Sequence, residues 1–492
     1  MAVPPLIVAI LAAAGALAAG ATALSRPRTA FGILFLLASM SSATVETPVG
    51  AMRPEMPAIA VVAAVLFAGG RFRTLLSLPR STLAMALAFG TYLGVLALSS
   101  ALVAPGTAQS LRMVAWLATS MVGGIVAFVL VRPRPVGAIE PLAFAGAAMG
   151  AVGVAVAAMF FAAGPAFNLG IQDPNSILPR VHALGWETNL YASFLAMCAF
   201  FALEAARGPR RAAGMAMLAL VLVGFPLGIT RGAYVGLAAG VLAYVAVRLA
   251  LERRPGNLVG LGAMSAVLLV LGIAASNVLL PNLLERAAAD GRSGQGPSGS
   301  PGPSVSLAPP SGLPTVAPSG LPTVAPSGVA QGTSTPATVP TLTLAPYPDT
   351  MAFRLERVPI ALEDLRRSPL IGFGAESFGQ LHPDRYAGAG ADHIAILAVV
   401  VPYEAGIIGA AALLIGFALL LTALWKSARR SSGEADWRAV GAAAAFIGSV
   451  VSVLVAYQVT NALHLAINWI VIGAAAALTA REASRDPASP DG

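Results

Sequence analysis

Arginine offers the most chemistry in this chain, and one arginine stands apart. Arg231 interrupts a long apolar run with no acidic residue beside it. A guanidinium so placed either snorkels to lipid headgroups as an interfacial anchor or faces a polar cavity, and sequence position leaves both readings open. Arg180, Arg354 and Arg357 fall on the same predicted side of the chain. Their planar forks give paired, charge-assisted hydrogen bonds that suit a diphosphate and keep their charge near lipid. Surface loops also carry arginine for solubility, which is the plainer reading of those three.

The four histidines, His182, His382, His393 and His464, all fall on the predicted outer side or at outer helix ends. A histidine there has the pKa of a general base, and it is also an ordinary residue of a solvated loop. Glu404 opens an outer helix end, where a carboxylate either orients a polar neighbour or caps the helix. No Gly-x-x-x-x-Gly-Lys loop, His-Glu-x-x-His helix or Gly-x-Ser-x-Gly elbow occurs. Asp173 is followed two positions on by Asn175, so no Asp-x-Asp metal motif occurs there. These absences disfavour ATP-driven and metal-hydrolase mechanisms, and no cofactor or metal is expected. The single cysteine, Cys198, lies inside an apolar run, which rules out an intramolecular disulfide.

The elements that must position these residues are set by hydropathy. The chain is 57% hydrophobic and 11% charged, far below the roughly one-quarter charge of a soluble domain. Apolar windows predict spans near 5–24, 29–45, 57–70, 81–104, 111–131, 140–163, 188–206, 212–229, 233–251, 258–281, 396–425, 439–458 and 463–480. Every second connection is basic: Arg26 and Arg28, Arg71 to Arg80, Arg132 and Arg134, Arg207 to Arg211, Arg248 to Arg254, Lys426 to Arg438, and the tail from Arg481. The positive-inside rule puts those loops and the C-terminus in the cytoplasm and the N-terminus outside. The net charge of +8 is therefore assigned to loops beside membrane lipid, and no nucleic-acid partner is expected. The fold class is an all-α polytopic helical bundle of twelve or thirteen spans in the cytoplasmic (inner) membrane.

Five regions follow. Residues 1–281 form an N-terminal transmembrane bundle, and 282–350 a tether rich in Pro, Ser, Gly and Thr, with Ser-Gly-Leu-Pro-Thr-Val-Ala-Pro repeated at 311–318 and 319–326. That composition buries too little apolar surface to offset chain entropy and carries no chemistry. Residues 351–393 form an outer loop, 394–481 the C-terminal helices, and 482–492 a cytoplasmic tail. In the outer loop, Arg354, Leu355, Val358, Ala361, Leu362 and Leu365 predict a short amphipathic helix flat on the membrane surface. Pro359 is placed in its first turn and Ser368-Pro369 at its end.

Four stretches then point to a family. They are Pro179-Arg180-Val-His-Ala-Leu-Gly-Trp-Glu-Thr-Asn189-Leu-Tyr-Ala192, Gly228-Ile-Thr-Arg231-Gly-Ala-Tyr-Val-Gly236, Arg354 through Pro369-Leu-Ile-Gly-Phe-Gly374, and Tyr403-Glu404-Ala-Gly406-Ile-Ile-Gly409. In order and spacing, with Met52-Arg53-Pro54-Glu55 before them, they resemble the O-antigen ligase and polymerase family of membrane proteins.

The resemblance implies a glycosyltransferase that needs no nucleotide sugar. It would move a glycan from an undecaprenyl-diphosphate carrier to an acceptor hydroxyl on lipid, glycan or protein at the outer face, building cell-surface polysaccharide. It assigns Arg180, Arg231 and Arg354 to the diphosphate, where they would stabilise the charge that grows as the sugar leaves. Arg357, Asn189 and Glu404 join the substrate-binding set. The family's histidine before its Glu-x-Gly-x-x-Gly helix acts on the acceptor hydroxyl. Here His393 takes that place, followed by Ile394 where asparagine is usual and lying somewhat further upstream of Glu404. A small gap would absorb the shift; Asp392 is the alternative base, or this member lacks the usual chemistry. A secondary transporter or channel for an anionic solute would use the same arginines along a path, although no internal repeat is evident. A scaffold for envelope assembly is the third class.

Overall fold

Hydrocarbon offers the backbone no hydrogen bonds, so long apolar stretches must satisfy their own groups as helices. In the computed structural model about 81% of the described residues are helical, which bears out the all-α bundle. The structure describes residues 5–40, 44–47, 50–164, 167, 169–172, 180–185, 187–252, 350–383 and 394–483. The expected span at 258–281 and the Pro-rich tether lie outside them, as do His393 and Asp392. Chain contacts separate Met1–Leu280 with Tyr347–Gly492 from Pro281–Pro346, and every described residue belongs to the first unit.

The helices are α1 (Pro5–Thr22), α2 (Pro27–Ser39), α3 (Glu55–Ala68), α4 (Arg80–Leu102), α5 (Thr107–Val131), α6 (Ile139–Ala163), α7 (Thr188–Ala206), α8 (Arg211–Gly224), α9 (Arg231–Leu251), α10 (Thr350–Leu365), α11 (Ser377–Leu381), α12 (Leu397–Gly433), α13 (Trp437–Ala456) and α14 (Ala466–Ala483). Two short antiparallel pairs complete the fold, β1 (Val45–Thr47) with β2 (Gly50–Met52) and β3 (Ile171–Gln172) with β4 (Arg180–Val181).

Eight of these helices are long and apolar enough to cross a membrane. A ninth span arises if α3 is joined to the 3-10 turn Arg71–Ser77, from which it bends by 80°. Largely exposed Phe67, Leu102, Leu242 and Leu414 clothe the outside of the bundle with apolar surface that only lipid accommodates at this density. The span expected at 29–45 is shorter than that: α2 ends at Ser39, whose hydroxyl turns back to the Leu36 carbonyl. The β-branched Val45 and Thr47 instead pair with Met52 and Gly50.

At the centre, α7 and α13 are buried on nearly every side. Glycine makes that packing close. A Cβ at Gly236 or Gly240 of α9 would lie 2.5 Å from the Ser452 or Gly448 carbonyl oxygen of α13, so any side chain there would force the two backbones apart.

The turns between α1 and α2, α5 and α6, α7 and α8, and α12 and α13, with the ends of α9 and α14, gather around one cavity. These are the basic connections, and they mark one end of the bundle. The Arg71–Ser77 turn joins this end through Arg132, which donates to the Ser77 carbonyl at 3.1 Å. At the opposite end the Ser120 hydroxyl donates to the His464 carbonyl and the Ser110 hydroxyl to the Ala375 carbonyl.

Candidate functional site

The end opposite the basic loops is organised by a broken helix. Helix α12 is interrupted at Gly406, whose φ of 65° and ψ of −176° no L side chain adopts at ease. A break releases backbone groups, and here a loop takes them. The Phe373 and Gly374 amides donate to the Tyr403 and Glu404 carbonyls at 2.9 Å each. The Ile407 and Ile408 amides donate to the Pro369 and Leu370 carbonyls at 2.8 and 3.2 Å. Irregular backbone is thus buried in protein, as a membrane protein requires. The Glu404 carboxylate accepts the Glu376 amide at 2.9 Å, so it binds this loop to the break.

The same loop follows α10, the helix expected in this region. Leu355 and Leu362 are each about half exposed, whereas Arg357, Ala361 and Asp364 are buried. Residues 354, 357, 361 and 364 share one helical face, so the helix turns Arg354, Arg357 and Asp364 toward the protein, while Leu355, Leu362 and the carboxylates Glu356 and Glu363 are exposed. Pro359, expected in a first turn, lies in the helix interior.

Along that charged face two groups of side chains assemble. At one end the Arg354 guanidinium donates to the Val459 carbonyl. Burial lowers the Arg354 pKa, with Glu187 opposing the shift and Arg180 and Arg357 adding to it. Glu187, Arg180 and Arg357 therefore each lie within electrostatic range of Arg354, and arginine stays protonated at neutral pH regardless. Arg180 reaches this place because β4 pairs with β3, setting Arg180 against Gln172. Its Nη2 then donates to Asn189 Oδ1 at 3.4 Å, and the Thr188 hydroxyl donates to the Gln172 side chain at 3.1 Å. The hairpin is thereby fastened to the first turn of α7.

At the other end of the face, Asp364 Oδ2 lies 2.6 Å from His382 Nε2 and accepts the Tyr403 hydroxyl at 3.2 Å. Aromatic contacts of Phe378 with His382 and Tyr403 hold both rings in place. A carboxylate so placed fixes the tautomer and orientation of a histidine, as in a general-base pair. Sequence reasoning passed over it because Asp364 and His382 stand apart in the chain. The available signal was the recurrence of Arg354, Arg357 and Asp364 at helical spacing.

Arg231 is the first residue of α9 and is exposed. Among the described residues no hydrogen bond or ion pair reaches its side chain. Its helix end is nonetheless close to the cluster, since Gly232 packs against Val459, whose carbonyl receives Arg354. The structure thus joins Arg180, Asn189, Arg354 and Arg357, ties Glu404 to the adjoining loop, and leaves Arg231 at the margin. A cavity of about 1290 Å³ lies at the far end of the bundle among the basic loops. The candidate site is placed by its convergent charges. Compared with models of known protein families and with curated proteins, the chain matches none.

Proposed function

We propose that the protein is a membrane glycosyltransferase that moves a glycan from an undecaprenyl-diphosphate carrier to an acceptor hydroxyl at the outer face of the cytoplasmic membrane. The carrying observation is the inward charged face of α10, which brings Arg354 and Arg357 beside Arg180, Glu187 and Asn189. In such a transfer the acceptor oxygen attacks the anomeric carbon, the bond from that carbon to the diphosphate oxygen breaks, and the diphosphate leaves with the electron pair. Fixed guanidinium groups favour this by meeting charge that grows on the leaving oxygens. The exposed Arg231 at the start of α9 would close over the donor from the side.

The acceptor's proton needs a base. His393 is the histidine that the family resemblance nominates, and the Asp364–His382 pair is the histidine–carboxylate contact among the described residues. Outward-facing Leu355 and Leu362 supply an apolar surface beside which a polyprenyl chain would lie.

Proteoliposomes loaded with a lipid-diphosphate glycan and an acceptor test this reading. Transfer by the wild type, abolished in Arg354→Ala and Arg180→Ala, is the expected result. Solute flux without transfer would move the protein to the transporter class.

A further inference from the structure

The cavity at the basic-loop end is a second, separately built site. Its walls come from α2, α7, α9, α13, α14 and the α5–α6 turn, and they carry six arginines against four carboxylates. Most of that opposite charge is already matched. Arg248 lies 2.8 Å from Glu252 and 3.7 Å from Glu204, Arg207 lies 3.7 Å from Glu204, and the Tyr244 hydroxyl links Arg207 to Glu204. Glu140 faces Arg210 at 3.4 Å, and Asp436 caps α13 by accepting the Ala439 amide.

What is left over is positive. Arg28, Arg134, Arg438 and Arg481 line the cavity and have no carboxylate or hydrogen-bond partner among the described residues. Arg28 is held in place, since a Cβ at Gly137 would come within 2.4 Å of its Nε. The second observation lies deeper. Arg248 is 4% exposed, and its Nε–H finds no acceptor although the residue lines the cavity. Its Nη1 contact with Glu252 is ionic without hydrogen-bond alignment. A buried donor with no partner in the protein takes its acceptor from outside it, a water or a bound anion.

We infer that this cavity binds a phosphate-bearing anion, with Arg248 Nε donating to a phosphate oxygen and the four rim arginines supplying the surrounding charge. The chemistry is shared by two sources, the headgroup of an anionic phospholipid entering from the adjacent leaflet and a free phosphate compound from solution. Because the site uses none of the α10 arginines, it stands or falls separately from the transferase reading.

The test uses the full-length protein in detergent with two probes. Phosphatidylglycerol retention is followed by native mass spectrometry against phosphatidylcholine, and inorganic pyrophosphate is titrated by calorimetry. The variants are the combined Arg28→Gln, Arg134→Gln and Arg438→Gln change, and Gly137→Leu, which would expel Arg28 without removing its charge. We expect at least one probe to bind, with affinity reduced about tenfold or more by the triple change and the melting temperature without probe preserved. Selective retention of phosphatidylglycerol identifies the lipid source; saturable pyrophosphate binding without lipid preference identifies the soluble one. Failure of both probes to bind, or binding that the triple variant keeps while Arg354→Gln loses it, overturns the assignment.

Discussion

Replacing Gly406 by alanine tests how the broken helix builds the site. The backbone there has φ 65° and ψ −176°, a region in which a side chain costs about 1–3 kcal/mol. An added Cβ would also lie 2.1 Å from the Leu370 carbonyl oxygen, and a backbone atom cannot swing aside as a flexible side chain does. The loop at 369–374 would have to lift, releasing the four inter-segment hydrogen bonds at Tyr403, Glu404, Ile407 and Ile408. Each is worth about 0.5–1.5 kcal/mol net, so Gly406→Ala is expected to lose at least about 3 kcal/mol. Denaturant unfolding in detergent measures the loss, and hydrogen exchange locates it at the Phe373, Gly374, Ile407 and Ile408 amides. Gly94→Ala is the control, because a Cβ there meets nothing within 4 Å. If Gly406→Ala unfolds within 1 kcal/mol of the wild type and keeps those amides protected, the role given to the break is wrong.

Further outcomes follow from the same geometry. Arg354→Lys keeps a positive charge but loses the paired fork, so transfer should fall at least about tenfold in the proteoliposome assay, with membrane insertion unchanged. Asp364→Asn and His382→Ala should reduce turnover more than donor binding if that pair takes the acceptor's proton, whereas a loss confined to His393→Ala would move the base outside the pair. Burial lowers the His182 pKa below its ordinary value of 6.5, against the opposing hydrogen bond with the Gly185 carbonyl. The unfolded chain then binds the proton more readily, so stability should decline as pH drops below about 6.5, and His182→Gln should flatten that part of the unfolding profile. Tyr457→Phe removes the donor that lies 3.0 Å from Asn468 in a buried pair and should cost about 1–3 kcal/mol in denaturant unfolding.

Periodicity and charge alternation made the long spans legible, and α4 to α9, α12 and α13 fall where hydropathy puts them. Local hydropathy has no means of ending α2 at Ser39, where β-branched residues and glycine prefer a hairpin. Nor does it see the break at Gly406, which exists only because a distant loop satisfies the freed backbone. The charged inner face of α10 has the same origin. Helical spacing predicts an amphipathic helix on the membrane surface, but it does not show that Arg354, Arg357 and Asp364 share the face that meets the protein. Arg231 was conspicuous for its lonely position in an apolar run, yet Arg357 is the buried one. Sequence isolation reported distance from other charges along the chain, while burial depends on helix face.

The most direct measurement is the affinity of the purified protein for undecaprenyl diphosphate without its glycan, compared among the wild type, Arg180→Gln, Arg354→Gln and Arg28→Gln. A charge-assisted contact is worth about 1.5–3 kcal/mol, so each of the first two changes should weaken binding by roughly 10- to 150-fold. Arg28→Gln, at the far end, should leave this affinity intact and weaken only anion binding in the separate cavity. Equal affinity in all four proteins, or a loss only in Arg28→Gln, would contradict a diphosphate site beneath α10.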